Sequence, residues 1–497
     1  MKRDRYDAVV IGAGVNGLVT AALLAKRGRS VLLAEASEQV GGLAASIEFH
    51  EGYRSGGVLH DPACVRPAVI RELALEQHGL ELRSKPASVL LADGDQTVAL
   101  EDAEPAALRD MHAFIDRVRP VLAGFCDEPS VDLIAEEAPI FDLLKRGLRL
   151  RRLGRADMLE VMRIAPMCSA DWLNERFDHD LLKAGLALPA LIGEYAGPWS
   201  PGTNAILLLR EAMRGPGLKK GSPGLVSALE RVARKEGVEI ACGSPVDRIV
   251  VGRDGVEAVR IGERTIACAQ VASSLDPRST FFDLIDPMYL SARLEHHVRT
   301  WRARPTTAQL LIALDRQPAW GAVDYVRVAG HVDEIEKAFD PIKYREIPER
   351  PVLDVAVPTQ GDPSLAPEGH AVLSVLASFV PERFADAGSE DGSDEGAGWT
   401  AARREQLTER VLDRLCEIDP DLRDAIVKTE LRTPDQLGNL NRGEHGLDQI
   451  LVRPFPESST HASPIRGLYL CGASTHPGGG VHGGCGVHAG RRMLATR

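Results

Sequence analysis

An apolar run, Tyr6 to Ile11, passes into Gly12-Ala13-Gly14-Val15-Asn16-Gly17, then into a helix-patterned stretch, then into a second apolar run ending at Glu35. Strand, GxGxxG turn, helix, strand and acid in that order describe a βαβ unit built to hold a dinucleotide. Gly12 permits the tight turn, Gly14 lets the backbone approach a pyrophosphate, and Gly17 lets the helix lie close on the strand. The helix N-terminus then offers free N–H groups to the phosphates. Glu35, roughly 20 residues beyond the turn, is placed to accept hydrogen bonds from a ribose hydroxyl.

Gly41-Gly42 follows one short loop after Glu35. A second glycine pair there continues the cofactor groove and favours FAD over NAD. At the far end of the chain the same grammar returns. Leu468 to Cys471 reads as a short buried strand, Gly472 to Gly486 as a glycine-rich loop, and Val487 to Ala495 as a helix. Such a loop exposes backbone N–H groups to an anion or to flavin carbonyls and tolerates a flat ring, because glycine presents no Cβ. Gly472, Gly479, Gly480 and Val481 are therefore candidate cofactor contacts alongside Gly12, Gly14, Gly17, Glu35, Gly41 and Gly42.

With both ends in view, the chain resembles the FAD-dependent phytoene desaturase-like family, which includes carotenoid desaturases, carotene ketolases, retinol saturases and phytoene dehydrogenase-related proteins. The likeness extends through Gly52-Tyr53-Arg54, Leu59-His60, Glu76 to Glu81, Ala184 to Thr203, Val246 to Ile249, Asp362 to Pro367 and Thr433 to Pro454. It implies an α/β fold: a Rossmann-like FAD-binding domain assembled from discontinuous segments, with an α+β substrate domain. The cofactor segments are expected at 1–74, 215–288 and 433–497, and the substrate domain at 75–214 and 289–432. The resemblance also implies that the backbone of Val246 contacts the adenine end of FAD. Three places depart from the family pattern: Gly221-Ser222-Pro223-Gly224, Asp61 between His60 and Pro62, and Ala473 after Gly472.

Composition narrows the function. With 71 acidic against 59 basic residues the net charge is −12, which argues against a nucleic-acid partner. No run approaches the roughly 18 apolar residues of a membrane span, so a cytoplasmic protein is expected. The eight cysteines show neither CxxC pairs nor zinc spacing, and no metal site is expected.

Between the cofactor segments, Leu225 to Lys235 has helical periodicity, and Val238–Ala241, Val246–Val251, Val256–Ile261 and Thr265–Val271 read as strands. Leu186 to Met213 is strongly apolar, with Ile206 to Leu209 as one solid patch. That patch suits a hydrophobic tunnel wall over the flavin and packed core equally, since periodicity does not separate them. Lys145 to Arg155 carries six basic residues among leucines and follows Ile140, Phe141, Leu143 and Leu144. It reads either as a solvated helix face or as peripheral membrane contact through 140–155. Asp386 to Gly398 is an acidic Gly/Ser run without apolar anchors, expected to be a disordered loop.

The chemistry expected from FAD is hydride acceptance at N5 from an apolar substrate, introducing, removing or shifting a C=C bond in an isoprenoid, polyene or acyl chain. Proton-handling candidates are His60, His476 and His482, with His445 behind them. The Gly478–Gly486 loop is expected to floor the flavin, with His476 and His482 near the mouth of the substrate pocket. No second dinucleotide fingerprint is visible, so a quinone or O2 has more support as electron acceptor than bound NAD(P)H. A carotene ketolase-type enzyme, an amine oxidase-type enzyme and a non-catalytic prenyl-protein-binding relative of the fold remain alternatives. An aromatic content of 5% leaves few residues for an amine oxidase's aromatic cage.

Overall fold

The strand Arg5–Ile11 is buried on both faces, with Ala8 and Val10 in one apolar cluster and Val9 and Ile11 in another. A strand covered on both sides reads as an unbroken apolar run, not an alternating one. In the computed structural model, which describes residues 1–132, 140–385 and 398–496, this strand pairs in parallel with Val31–Ala34 on one side and Arg264–Ser273 on the other. Glu239–Ala241 joins the outer edge of Val31–Ala34, also in parallel. The other side of Arg264–Ser273 is shared. Its first half pairs antiparallel with Gly255–Ile261, which leads to Arg248–Gly252, and its last residues pair in parallel with Leu468–Leu470. One seven-stranded sheet is thus assembled from three distant stretches of chain.

Helices Val15–Lys26, Gly221–Lys235 and Gly484–Ala495 cover one face of this sheet. Gly221–Lys235 begins ahead of the expected Leu225 and takes Pro223 into its first turn, where a missing N–H costs little. Gly484–Ala495 likewise starts three residues earlier than expected, taking Gly484 and Gly486 out of the loop. Val246 is not on a strand; it lies in the loop before Arg248–Gly252, half-buried against the other face of the sheet.

A second seven-stranded sheet runs in the order Ile426–Arg432, Thr307–Leu314, Ala371–Ser378, Leu353–Ala356, Tyr325–Val328, Val89–Asp93, Gln96–Ala99. Every pairing is antiparallel except that of Tyr325–Val328 with Val89–Asp93. Helix Ala401–Cys416 covers one face through Leu407, Val411 and Leu415. Against Val89 and Leu91, at their end of the sheet, helices Pro105–Asp127, Asp180–Leu191 and Thr203–Met213 pack around a separate core. The expected helix after Ile140 spans Ile140–Arg152. Apart from Gly398, the acidic stretch 386–398 lies outside the described residues. Among the described residues no helix is long and apolar enough to cross a membrane.

Candidate cofactor and substrate site

The first glycine loop is closely packed at both ends and open in the middle. Gly12 sits at φ +88°, and a Cβ there would come within 2.3 Å of Ser274 Oγ; one on Gly17 would come within 2.0 Å of the Gly12 carbonyl oxygen. These two glycines are required by packing. Gly14 is different: a Cβ there would meet nothing within 4 Å. Gly14 is the N-cap of Val15–Lys26, with no side-chain cap and no acid in the first turn. Unsatisfied N–H groups at a helix start, beside an open glycine, are what a pyrophosphate needs. The Gly41 N–H donates to the Ala13 carbonyl at 2.8 Å, and Gly42 lies with its Cβ position 3.4 Å from Gly14 Cα. The second glycine pair therefore folds back onto the first loop.

Glu35 stands just past Val31–Ala34. Its carboxylate accepts from the Ala13 N–H at 2.6 Å and from the Ser37 N–H at 2.9 Å, one bond per oxygen. Each oxygen keeps a further lone pair, the right chemistry for vicinal ribose hydroxyls. The open face at Gly14, the uncapped helix start and this half-satisfied acid together fit a dinucleotide.

The C-terminal loop is shaped by residues from elsewhere. A Cβ on Gly478 would lie 2.3 Å from His445 Nε2, and one on Gly479 would lie 2.4 Å from Asn441 Oδ1 and 2.5 Å from Asn441 Cα. Among the described residues, only His482 Cδ2, at 3.5 Å, comes near the Cβ position of Gly480. Gly472 backs onto the Ser274 carbonyl, 2.3 Å from its Cβ position. Gly486 lets helix Gly484–Ala495 press on the first loop, its Cβ position 2.4 Å from the Asn16 carbonyl.

A cavity opens where Gly479, Gly480 and Val481 meet the helical part of the chain. The apolar patch divides there: Leu207 and Leu208 are packed in the core, while Ile206 and Leu209 line the cavity. The stretch is thus core at two of its positions and cavity wall at the other two.

His482 lines the cavity, yet both ring nitrogens are committed to backbone. Nε2–H donates to the Gly478 carbonyl at 2.8 Å and Nδ1 accepts from the Gly484 N–H at 2.9 Å. Burial pushes its pKa down to about 4. His476 does not line the cavity; its Nε2 bonds the Glu128 carbonyl at 3.1 Å, and burial, aided by His488 and His461, holds it well below the usual imidazole range. His60 faces a neighbouring cavity and pairs with Asp354 at 3.1 Å. The cavity instead holds His445, whose Nδ1 lies 2.6 Å from Glu194 Oε1 and whose Nε2 accepts from the Gly479 N–H at 3.2 Å. Glu194, 2% exposed, also accepts from the His445 N–H and from Asn441. Sequence reasoning passed over Glu194 and Asn441. The available signal was a lone acid inside an apolar run, because a buried acid is almost always paired.

A dinucleotide-binding sheet with a parallel centre, joined to two glycine loops of which the second opens on a cavity with an aliphatic wall, defines a flavoprotein oxidoreductase. The chain belongs to the flavin containing amine oxidoreductase family, whose profile matches residues 16–492. It is similar to pyridine nucleotide-disulfide oxidoreductase domain-containing protein 2 of Rattus norvegicus, with 26% identity over 96% of this chain and 91% of the relative. Similarity to the zeta-carotene-forming phytoene desaturase of Myxococcus xanthus is 27% identity over 95% and 90%. The crystal structure of an oxidoreductase from Methanosarcina mazei shares the fold, with a TM-score of 0.61 and 19% identity over 99% of this chain and 100% of that one. FAD is the cofactor of this chain.

Proposed function

We propose that the chain introduces, removes or shifts a C=C bond in an apolar substrate, an isoprenoid, polyene or long acyl chain. One observation carries this reading: the cavity walled by Gly479, Gly480 and Val481 has an aliphatic wall formed by Ile192, Ile206, Leu209, Met213 and Ile450. Bound FAD supplies the hydride acceptor. The aliphatic wall excludes water and holds the reacting carbon against the glycine loop. His445 takes the accompanying proton at Nε2. Glu194 fixes the tautomer with the proton on Nδ1, and Nε2 takes the substrate proton as its lone pair is released from the Gly479 N–H, which donates to it at 3.2 Å in the resting site.

The relatives whose names include phytoene desaturase support an apolar substrate. The amine oxidase reading has less support, because the cavity lining contains no Phe, Tyr or Trp and Glu194 is already engaged. Anaerobic mixing of flavin-loaded protein with prenyl and polyene chains, and separately with alkyl amines, tests the assignment. Bleaching of the visible flavin band by the apolar chains is expected; bleaching by amines alone would replace this reading. Reoxidation by a quinone or O2 then identifies the acceptor.

We also propose that helix Ile140–Arg152 rests on an anionic lipid surface, from which apolar substrates are drawn. Ile140, Phe141 and Leu144 are 57%, 88% and 63% exposed, next to Lys145, Arg146, Arg149, Arg151 and Arg152. The protein should sediment with phosphatidylcholine vesicles containing phosphatidylserine and not with phosphatidylcholine alone. A Phe141→Asp/Leu144→Asp variant should stay in the supernatant.

A further inference from the structure

The cavity that carries the aliphatic wall is lined by charge as well. Asp61 and Arg210 line it together, with Arg210 Nη2 donating to Asp61 Oδ2 at 2.5 Å. Asp61 is also a wall of a second cavity, lined further by Arg214, Tyr325, Arg327 and Asp354. Beside that second cavity lie two buried polar atoms that have no hydrogen-bond partner among the described residues. Arg327 Nε and Asp354 Oδ1 are 3.6 Å apart and neither has a hydrogen-bond partner, although their residues are only 6% and 3% exposed. The remaining bonds of both side chains point elsewhere: Arg327 Nη1 donates to the Gly185 carbonyl and Asp354 Oδ2 pairs with His60. Unpaired buried donors and acceptors are costly, so this end of the cavities favours a polar neighbour over a further apolar one.

The charges here match one to one, which restricts the guest. Arg210 pairs with Asp61, Arg214 with Glu211 at 3.6 Å, and Arg327 stands beside Asp354. A carboxylate would add a buried charge without a counter-ion. A hydrocarbon end would strip water from Asp61 and Arg210 and return no bond. A hydroxyl both accepts and donates, so it can take an N–H from Arg210 and give its own proton to Asp61. Burial opposes the charge on Asp61, but Arg210 and Arg214 hold its carboxyl below the usual range, so it is an acceptor.

We propose that the Asp61–Arg210 pair binds a terminal hydroxyl, so that the preferred substrate is an apolar chain ending in an alcohol and not a pure hydrocarbon. This rests on the apolar cavity being the substrate site. Phytanol, phytanic acid and phytane share one skeleton and differ only at the end; each is titrated from cyclodextrin into the flavin-loaded protein while the visible flavin band is followed. Phytanol should bind tighter than phytane by about tenfold or more, since a site built to bond a hydroxyl rejects the analogue without it. The acid should bind more weakly than the alcohol. Arg210→Met should erase the difference between phytanol and phytane. Because it leaves Asp61 unpaired, the Asp61→Asn/Arg210→Met double variant, which removes both charges, serves where the single one does not fold. Equal affinity for phytane and phytanol overturns the proposal while leaving the apolar site intact. Tightest binding of the acid overturns it in favour of a carboxylate. Binding of none of the three overturns the apolar-substrate reading and this proposal with it.

Discussion

In the loop Gly12–Gly17 the turn's own backbone crowds Gly17, Ser274 crowds Gly12, and the middle glycine, Gly14, faces open space; in Gly478–Gly480 the side chains of His445 and Asn441 fill the places where Gly478 and Gly479 would carry a Cβ. A loop of the first kind is a local motif and is readable wherever it occurs. A loop of the second kind is glycine-rich because something else occupies the space where side chains would be. The two should therefore fail differently when a side chain is added.

The largest effect is expected at Gly14. Its Cβ direction is open, so Gly14→Val should fold normally and lose its flavin, seen as a colourless protein whose melting temperature matches that of the flavin-free wild type. Gly479→Ala should behave otherwise: its Cβ meets the Asn441 backbone, so flavin loss should come with a lower melting temperature. If Gly479→Ala were as stable as Gly14→Val, the distinction between the loops would collapse.

Next come the histidines. His445→Ala should lower turnover by about 10²–10⁴-fold, the range of a general base, with flavin retained. His482→Ala should act chiefly on flavin content, because both ring nitrogens brace the loop backbone. The reverse pattern would return the proton-handling role to His482.

Glu35→Gln should be milder than Gly14→Val. It exchanges a charge-assisted acceptor, worth about 1.5–3 kcal/mol, for an amide that still bonds, so FAD dissociation should quicken while saturation stays attainable. Smallest of all is a pH effect confined to the C-terminal loop and its surroundings. Burial depresses His461 to about 3 and His482 to about 4, against 6.5 for the free side chain. The unfolded chain therefore takes up protons first as pH falls. Stability from the neutral imidazoles is complete above about pH 6.5 and is lost progressively towards pH 4. Melting temperature should drop between pH 7 and 5, and His482→Gln should flatten part of that slope.

The same contrast explains what was legible in the sequence. Strand, turn, helix and acid from Tyr6 to Glu35 are local, and they appear in the structure where their pattern puts them. The start of the last helix was misjudged because glycine is a poor helix former; Gly484 and Gly486 are helical since helix Gly484–Ala495 presses against Asn16 and Val19. The His445–Glu194 pair was half hidden because its partners stand 251 positions apart. Asp61 was noticed only as an interruption between His60 and Pro62, and nothing near it in sequence announces Arg210.

The strand Leu468–Leu470 completes the same sheet that Arg5–Ile11 begins, and this sets an order of events on the ribosome. Several hundred residues are polymerised between them, on the order of tens of seconds at ordinary elongation rates. Until the last strand and helix Gly484–Ala495 emerge, the neighbouring edge of Arg264–Ser273 and the flank of Val15–Lys26 stay uncovered. The nascent chain thus spends most of its synthesis with the nucleotide groove begun and its second glycine loop missing. Flavin capture is accordingly expected late, once the last strand has closed the sheet.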